Sequence, residues 1–409
     1  MENISPNIDP SQFGNQEGTG TDHMMVALLD KILAMLDQSD GHAAVITALI
    51  DWSSAFDRQD PTIAIQKFHR MGVRSSLIPI LVSYLQERKM TVKFGGSHSS
   101  IYSLPGGGPQ GSLLGGIEYL VNSNDNADFV EDDEKFKYVD DLSVLEFVCL
   151  AGLLCEYNFR LHVASDIAID SYFLPAQNIK MQEYLDRISS WTQDNLMVLN
   201  ESKSKYIVFN RAQADFNTRL TMNDTKLDQV HEVRLLGVLL TDNLRFEKNT
   251  QDICKRAFAR ISMITKLKYV GVPVHDLIEV YTLFVRSLLE YCCVSWHSSL
   301  SQELSENIER VQRTALKVIL GVSYTDYESA LELCNLKTLF SRREDRCLTF
   351  GLRCLKHDKH KTMFPFNDTS EQDTRNPNTF LVNFARTSTY KKSAIPYIQN
   401  MLNDHFSNL

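Results

Sequence analysis

No Cys-x-x-Cys pair occurs in this 409-residue chain, and its eight cysteines are scattered. That excludes the commonest zinc-ribbon and thioredoxin-like patterns and fits free, structural thiols in a reducing, intracellular compartment, nuclear or cytoplasmic. No run of about 18 apolar residues is present, so no membrane span is expected. The first twenty residues are polar and rich in Gly and Asn, without the basic region and apolar stretch of a secretory signal. Positive charge is not in excess either: the formal net charge is −9. A polyanionic partner would have to be held by local basic patches, since the surface as a whole is acidic. What is present is 43% hydrophobic and 23% charged residues, a globular composition able to bury a sizeable core. The length predicts two or three lobes.

Along the chain, residues 1–21 are expected to be a disordered segment. Met25, Leu28, Leu29, Ile32, Leu33 and Leu36 recur at helical spacing and predict an amphipathic helix from Met24 to Gln38. Ala43 to Ile50 is apolar except for Thr47, ends at Asp51 and predicts a buried strand. Helices over Pro61–Met71 and Ser75–Glu87, a hairpin about Gly95-Gly96 and a Gly/Pro-rich loop from Pro105 to Ser112 follow. Six acidic and no basic residues between Asn122 and Glu134 predict a solvated loop. Lys135 to Val148 predicts strand, tight turn, strand, with Asp140-Asp141 at the turn. An amphipathic helix is expected over Asn178–Asn195, with strands at Lys205–Phe209 and within Val230–Leu240. After Glu247 helical periodicity dominates to residue 357, which places a boundary near 245–250.

Aspartates at strand ends are the informative feature. Adjacent carboxylates raise each other's pKa unless a cation compensates. A pair at a strand turn, joined by Asp51 from a neighbouring strand, makes an oxygen-rich pocket of the kind that hard divalent ions prefer. An isolated Asp-Asp is more often only a turn former. Here aromatic and apolar neighbours (Tyr138, Val139, Leu142, Val144 and Leu145) surround the pair, which a solvated turn seldom needs.

Three ordered stretches carry a resemblance. Ala48-Leu49-Ile50-Asp51-Trp52-Ser53-Ser54-Ala55-Phe56-Asp57 resembles the first palm motif of reverse transcriptases, "LDxSxAFD" in non-LTR retrotransposons. Gly108-Pro109-Gln110-Gly111-Ser112-Leu113-Leu114-Gly115 resembles "PQGSxLG", and Tyr138-Val139-Asp140-Asp141 resembles the catalytic "Y-x-D-D" box. Further similarity runs through Trp191–Phe209, Arg234–Val238 and the segments Leu288–Trp296 and Ile308–Gln312. The resemblance spans residues 25 to 357 and implies a non-LTR, N-terminally truncated reverse transcriptase.

The resemblance implies an α+β fold: a polymerase palm with a ferredoxin-like antiparallel sheet and helices, then an all-helical thumb and a C-terminal extension, with fingers largely missing. The expected domains are the disordered segment 1–21, the palm with a remnant of fingers over 22–247, the thumb over 248–357, and an irregular tail with a short helix over 358–409. By the same resemblance Asp51, Asp140 and Asp141 hold two Mg²⁺ ions, with Mn²⁺ as a possible substitute. Lys203 protonates the departing pyrophosphate. Phe56, at the position of the aromatic gate under the incoming sugar, selects dNTPs over NTPs, while Gln110, Gly111 and Tyr138 line the nucleotide pocket. Leu236 and Gly237 support the primer. Lys255, Arg256 and Arg260 lie in residues 245–270, which hold seven basic residues against two acidic ones, and are expected to contact phosphates. The implied partners are an RNA template, a DNA primer and dNTPs. The alternatives are a catalytically inactive retroelement remnant, a nucleic-acid-binding module, and an RNA-dependent RNA polymerase, against which Phe56 argues.

Overall fold

A computed structural model describes residues 4–39, 43–109, 111–149, 171–174, 179–210, 215–367 and 379–407. The chain divides into two units, one of Met1–Gly20 with Gly41–Val230 and the other of Thr21–Asp40 with His231–Leu409. Helix α1 (Thr21–Asp37) therefore belongs with the later helices, and the second boundary falls at Val230 instead of near residue 247.

The first unit is built on a five-stranded sheet. Its strands are β1 (Ala43–Ile50), β2 (Lys135–Tyr138), β3 (Asp141–Cys149), β4 (Lys205–Asn210) and β5 (Asp228–Val230), in the order β5-β4-β1-β3-β2. The apolar run of β1 earns the centre, where both faces of a strand are covered. It pairs antiparallel with β3 from Ala43↔Cys149 to Ile50↔Leu142, and with β4 on its other side. The sheet is not wholly antiparallel as expected: β5 runs parallel to β4. Parallel neighbours need a long crossover, and residues 211–227 supply it.

Helices α2 (Pro61–Arg70), α3 (Ile78–Leu85), α4 (Leu113–Asn122) and α5 (Lys180–Asp194) accompany the sheet. The buried face of α5 (Met181, Tyr184, Leu185 and Ile188) joins Ile46, Ala48 and Val144 of the sheet in one core. The expected hairpin forms as two short ladders, Lys89–Met90 with Tyr102–Ser103 and Lys93–Phe94 with Ser97–His98. Gly95 and Gly96, with φ of +55° and +86°, make its turn. The acidic segment is not merely solvated. Asp125 accepts from buried Lys67 at 2.6 Å and from the indole of Trp191 at 2.9 Å, and Ala127 and Val130 enter the core.

The start of the chain departs from the disordered reading. Residues 11–13 lie along the outer edge of β2: the Phe13 amide donates to the Lys137 carbonyl at 2.8 Å and the Lys137 amide to Ser11 at 3.0 Å. The Asp9 carboxylate meets Lys137 at 2.5 Å and Lys135 at 3.5 Å, all three side chains being buried. Burial alone would raise the Asp9 carboxyl, but Lys137 beside it holds it below its ordinary value. Polar side chains order this stretch, so its composition resembles a linker while its hydrogen bonds do not.

The second unit begins, after α1, with a hairpin of β6 (Glu232–Leu235) and β7 (Val238–Thr241). Helices α6 (Glu247–Tyr269), α7 (Gln302–Leu320), α8 (Tyr327–Leu333), α9 (Leu339–Cys354) and α10 (Ala394–Ser407) follow. Val26 of α1 packs with Cys347, Phe350, Ile398 and Leu402. Gly351 lets α9 and α10 approach closely, since a Cβ there would lie 2.7 Å from Ile398. The short helix expected in the tail is α10, and it is packed into this core. Asp37, buried at the end of α1, accepts from the amides of Arg386 and Thr387 at 2.7 and 2.8 Å. Glu290, also buried, is ringed by Arg342 and Arg346 at 3.0 Å and Arg286 at 3.9 Å.

Candidate active site

The register of the sheet gathers the three aspartates. Ile50 opposes Leu142, so Asp51, the residue that follows β1, comes beside Asp141 at the head of β3. Tyr138 opposes Asp141 across the β2–β3 turn, leaving Val139-Asp140 as its two-residue tip. Val139 has φ of +58°, a conformation that β-branched residues resist and that clusters at functional sites. Gln12 holds it there. Its Oε1 accepts from the Val139 amide at 3.0 Å and from Gly14 at 2.8 Å, and its Nε2 donates to the Val139 carbonyl at 3.4 Å. A Cβ at Gly14 would lie 2.4 Å from the Val139 nitrogen, so this approach requires glycine.

Asp51 is fixed through its backbone. Its amide donates to Ser204 Oγ at 3.1 Å and its carbonyl accepts from Asn200 at 2.9 Å. Oδ2 of Asp51 is buried without a hydrogen-bond partner, and the nearest cation, the exposed Lys203 Nζ, stands at 4.0 Å. The carboxyls of Asp140 and Asp141 reach solvent, yet protein surrounds them enough to matter. Partial desolvation, then Asp140 and Asp51, push Asp141 up to about 6. Desolvation and Asp51 raise Asp140 as well. The Tyr119 phenol is raised by burial and by both aspartates.

An oxygen-only donor set, an orphaned buried carboxylate oxygen and mutual repulsion among the acids fit a divalent cation. The oxygens of Asp51, Asp140 and Asp141 are not all within 4.8 Å of one another; among the described residues His275, Asp276 and Glu279 are the trio that meets that measure, on the surface of the second unit.

Around these acids the glycine-rich loop packs on the turn after β1. Gly107 donates to the Gln59 carbonyl at 2.8 Å and Gly108 to Phe56 at 3.3 Å. A Cβ at Gly107, whose φ is +79°, would meet Asp57 at 2.9 Å. The half-buried Phe56 ring lies 4.6 Å from that of Tyr119. Gly111 has φ of +80° with open space before it, and Ser112 caps α4 by accepting from Gly115 at 3.0 Å. Gln110 lies outside the described residues.

Two features escaped sequence reasoning. Gln12 lies in a stretch read as disordered. Glu118 is buried on α4 with both oxygens unpartnered, and burial pushes it up to about 7. It occupies the space that a side chain at 108 would need, 2.2 Å from that Cβ. A lone acid in Leu113–Val121 was the available signal.

The residues expected to hold primer and template lie in the second unit. Leu236 and Gly237 form the β6–β7 turn with φ of +45° and +85°, and Tyr291 donates to the Leu236 carbonyl at 2.8 Å. On α6, Arg256 pairs with Asp252 at 2.8 Å and Arg260 donates to the Phe284 carbonyl. Lys255 lines a cleft beside the start of α7.

Against curated proteins, the chain is 24% identical over 343 residues to the RNA-directed DNA polymerase from mobile element jockey of Drosophila funebris. The match covers 82% of this chain and 34% of that protein. It is 23% identical over 323 residues to the probable RNA-directed DNA polymerase from transposon X-element of Drosophila melanogaster, covering 76% of the chain and 32% of that protein. The chain is a homologue of RNA-directed DNA polymerases of Drosophila mobile elements. It spans about a third of the length of these polymerases. No protein-family model matches. Among solved structures, apo telomerase from Candida tropicalis aligns with a TM-score of 0.42 at 12% identity, over 86% of this chain and 52% of that one.

Proposed function

We propose that the chain carries the RNA-directed DNA polymerase centre of a non-LTR retrotransposon, adding dNTPs to a primer 3′-hydroxyl on an RNA template. The observation that carries this reading is the meeting of Asp51 with the Asp140-Asp141 turn at one end of the sheet. In it the first unit is the palm and the helical second unit the thumb. Asp51, Asp140 and Asp141 would hold two Mg²⁺ ions, which would ease deprotonation of the primer hydroxyl and offset the charge of the triphosphate.

The chain's own residues do the positioning. The ring of Phe56, braced on Tyr119, occupies the space a ribose 2′-hydroxyl would need and so selects deoxynucleotides. Gln110 and Gly111 offer backbone and amide to the nucleotide, and Tyr138 steadies the turn beneath it. Lys203 gives a proton to the leaving pyrophosphate oxygen. Leu236 and Gly237 support the primer, and Lys255, Arg256 and Arg260 neutralise backbone phosphates. Among the described residues no helix is long and apolar enough to cross a membrane.

Primer extension on poly(rA)/oligo(dT) with Mg²⁺ tests the reading. Wild type is expected to extend the primer and Asp140→Asn not to; an inactive wild type, or an active variant, overturns it.

A further inference from the structure

A cleft of about 490 Å³ opens in the second unit beside the first half of α7, bordered by α8 and the start of α9. That is within the size range of small-molecule sites. One wall is aromatic: Phe340, 47% exposed, and Tyr327, whose ring carries the Arg313 guanidinium at 4.9 Å. Buried Glu309 is already engaged, accepting from the amides of Leu339 and Phe340 at 3.0 and 3.2 Å and from the Tyr327 hydroxyl. Glu306 at the rim is 60% exposed in its side chain and accepts from Arg313 at 2.9 Å, with oxygen lone pairs to spare.

Donors stand beside the aromatic rings, with His297 in edge contact with Phe340 at 5.2 Å between ring centroids. His297, which lines the cleft and is 5% exposed, accepts at Nδ1 from Arg343 Nε at 3.1 Å, so its Nε2 carries the proton. Arg343 Nη2 donates to Ser305, another lining residue, at 2.8 Å. Arg343 itself is fully buried, and its Nη1 has no acceptor. A buried guanidinium nitrogen without an acceptor is costly. Here it lies behind two residues of the cleft wall.

An exposed aromatic ring, the His297 N–H beside it and the Glu306 carboxylate at the rim suit a planar heterocycle that presents carbonyl and N–H groups along one edge. A purely ionic or purely aliphatic ligand would use only part of this set. Beyond Ser301, which borders both, a second cleft of about 480 Å³ carries Lys255, Arg310 and Phe258, where phosphates would lie. We infer that the first cleft is a base-binding pocket for single-stranded nucleic acid, whose backbone crosses Lys255 and Arg310. This site is separate from the carboxylate centre, and its occupation does not require polymerisation.

Fluorescence anisotropy of the full chain in EDTA, with a labelled short single-stranded RNA and an abasic phosphodiester oligomer of equal length, tests it. Phe340→Ala, a change at an exposed position checked by thermal melting, is expected to weaken RNA binding about tenfold and leave abasic binding unchanged. Lys255→Glu is expected to weaken both. RNA carrying 4-thiouridine should crosslink to the peptides containing Tyr327 or Phe340. Wild type that binds both oligomers equally, or binds neither, overturns the pocket, as does Phe340→Ala with unaltered RNA affinity.

Discussion

The two units treat buried acids in opposite ways. In the second, the chain surrounds Glu290 with Arg342, Arg346 and Arg286. Burial alone would raise that carboxyl, and the arginines hold it below its ordinary value. In the first, Asp141 is pushed up to about 6 by partial burial and by Asp140 and Asp51. A fold able to assemble three arginines around one acid leaves Asp51, Asp140 and Asp141 facing each other. On the proposed reading, the difference separates an acid that holds the structure from acids that would hold a cation.

The contrast can be broken most sharply at Asp140. Asp140→Asn should lower primer extension by at least about a thousandfold, roughly 4 kcal/mol of transition-state stabilisation, with a melting temperature at or above wild type. A clear loss of stability would make Asp140 structural, like Glu290. Next, Glu290→Gln should cost about 3 kcal/mol in chemical denaturation, because a core carboxylate leaves three arginines facing one another. A variant within about 0.5 kcal/mol of wild type would erase the distinction.

Phe56→Ala should raise ribonucleotide incorporation relative to deoxynucleotide about tenfold, measured as a ratio of kcat/KM values. An unchanged ratio would leave Phe56 as a core ring on Tyr119. The smallest effect concerns pH. The folded pKa of Asp141, about 6, lies above its unfolded value of about 3.9. Its contribution is therefore fully present below about pH 4 and is lost as pH rises through about 6. Solvent screening at this exposed carboxyl keeps the loss under about 1 kcal/mol. Asp30, Glu118 and Glu146 are raised into the same window, so denaturation at its two ends should show a smaller loss in Asp141→Asn than in wild type, and Mg²⁺ at pH 7 should narrow that difference.

Much of the site was legible because its parts are local. An apolar run ending in Asp51 is a strand with an acid at its tip, and Tyr138-Val139-Asp140-Asp141 announces a turn; ladder pairing then joins them. What stayed hidden depends on partners far away in sequence. Met24, Met25, Val26, Leu28 and Leu29 are all buried, so α1 is covered on more than one face, and periodicity cannot tell which unit covers it. The parallel placement of β5 follows from a crossover with no periodic pattern. Asp9 and Gln12 act through single hydrogen bonds and ion pairs, which leave no trace in hydrophobic spacing. Glu118 is a single acid in an apolar helix, and its burial depends on the room left by Gly108 on a separate loop.

The Gln12 clamp also bears on how the protein must be handled. One amide side chain ties the tip carrying Asp140 to a stretch about 125 residues earlier that looks dispensable in sequence. Proteolytic trimming within residues 9–14 would leave Asp51, Asp140 and Asp141 in the chain and free the backbone on which Asp140 sits. A preparation nicked there would keep its motif in the sequence yet lose both the glutamine that fixes the tip and the carboxylate that neutralises Lys135 and Lys137.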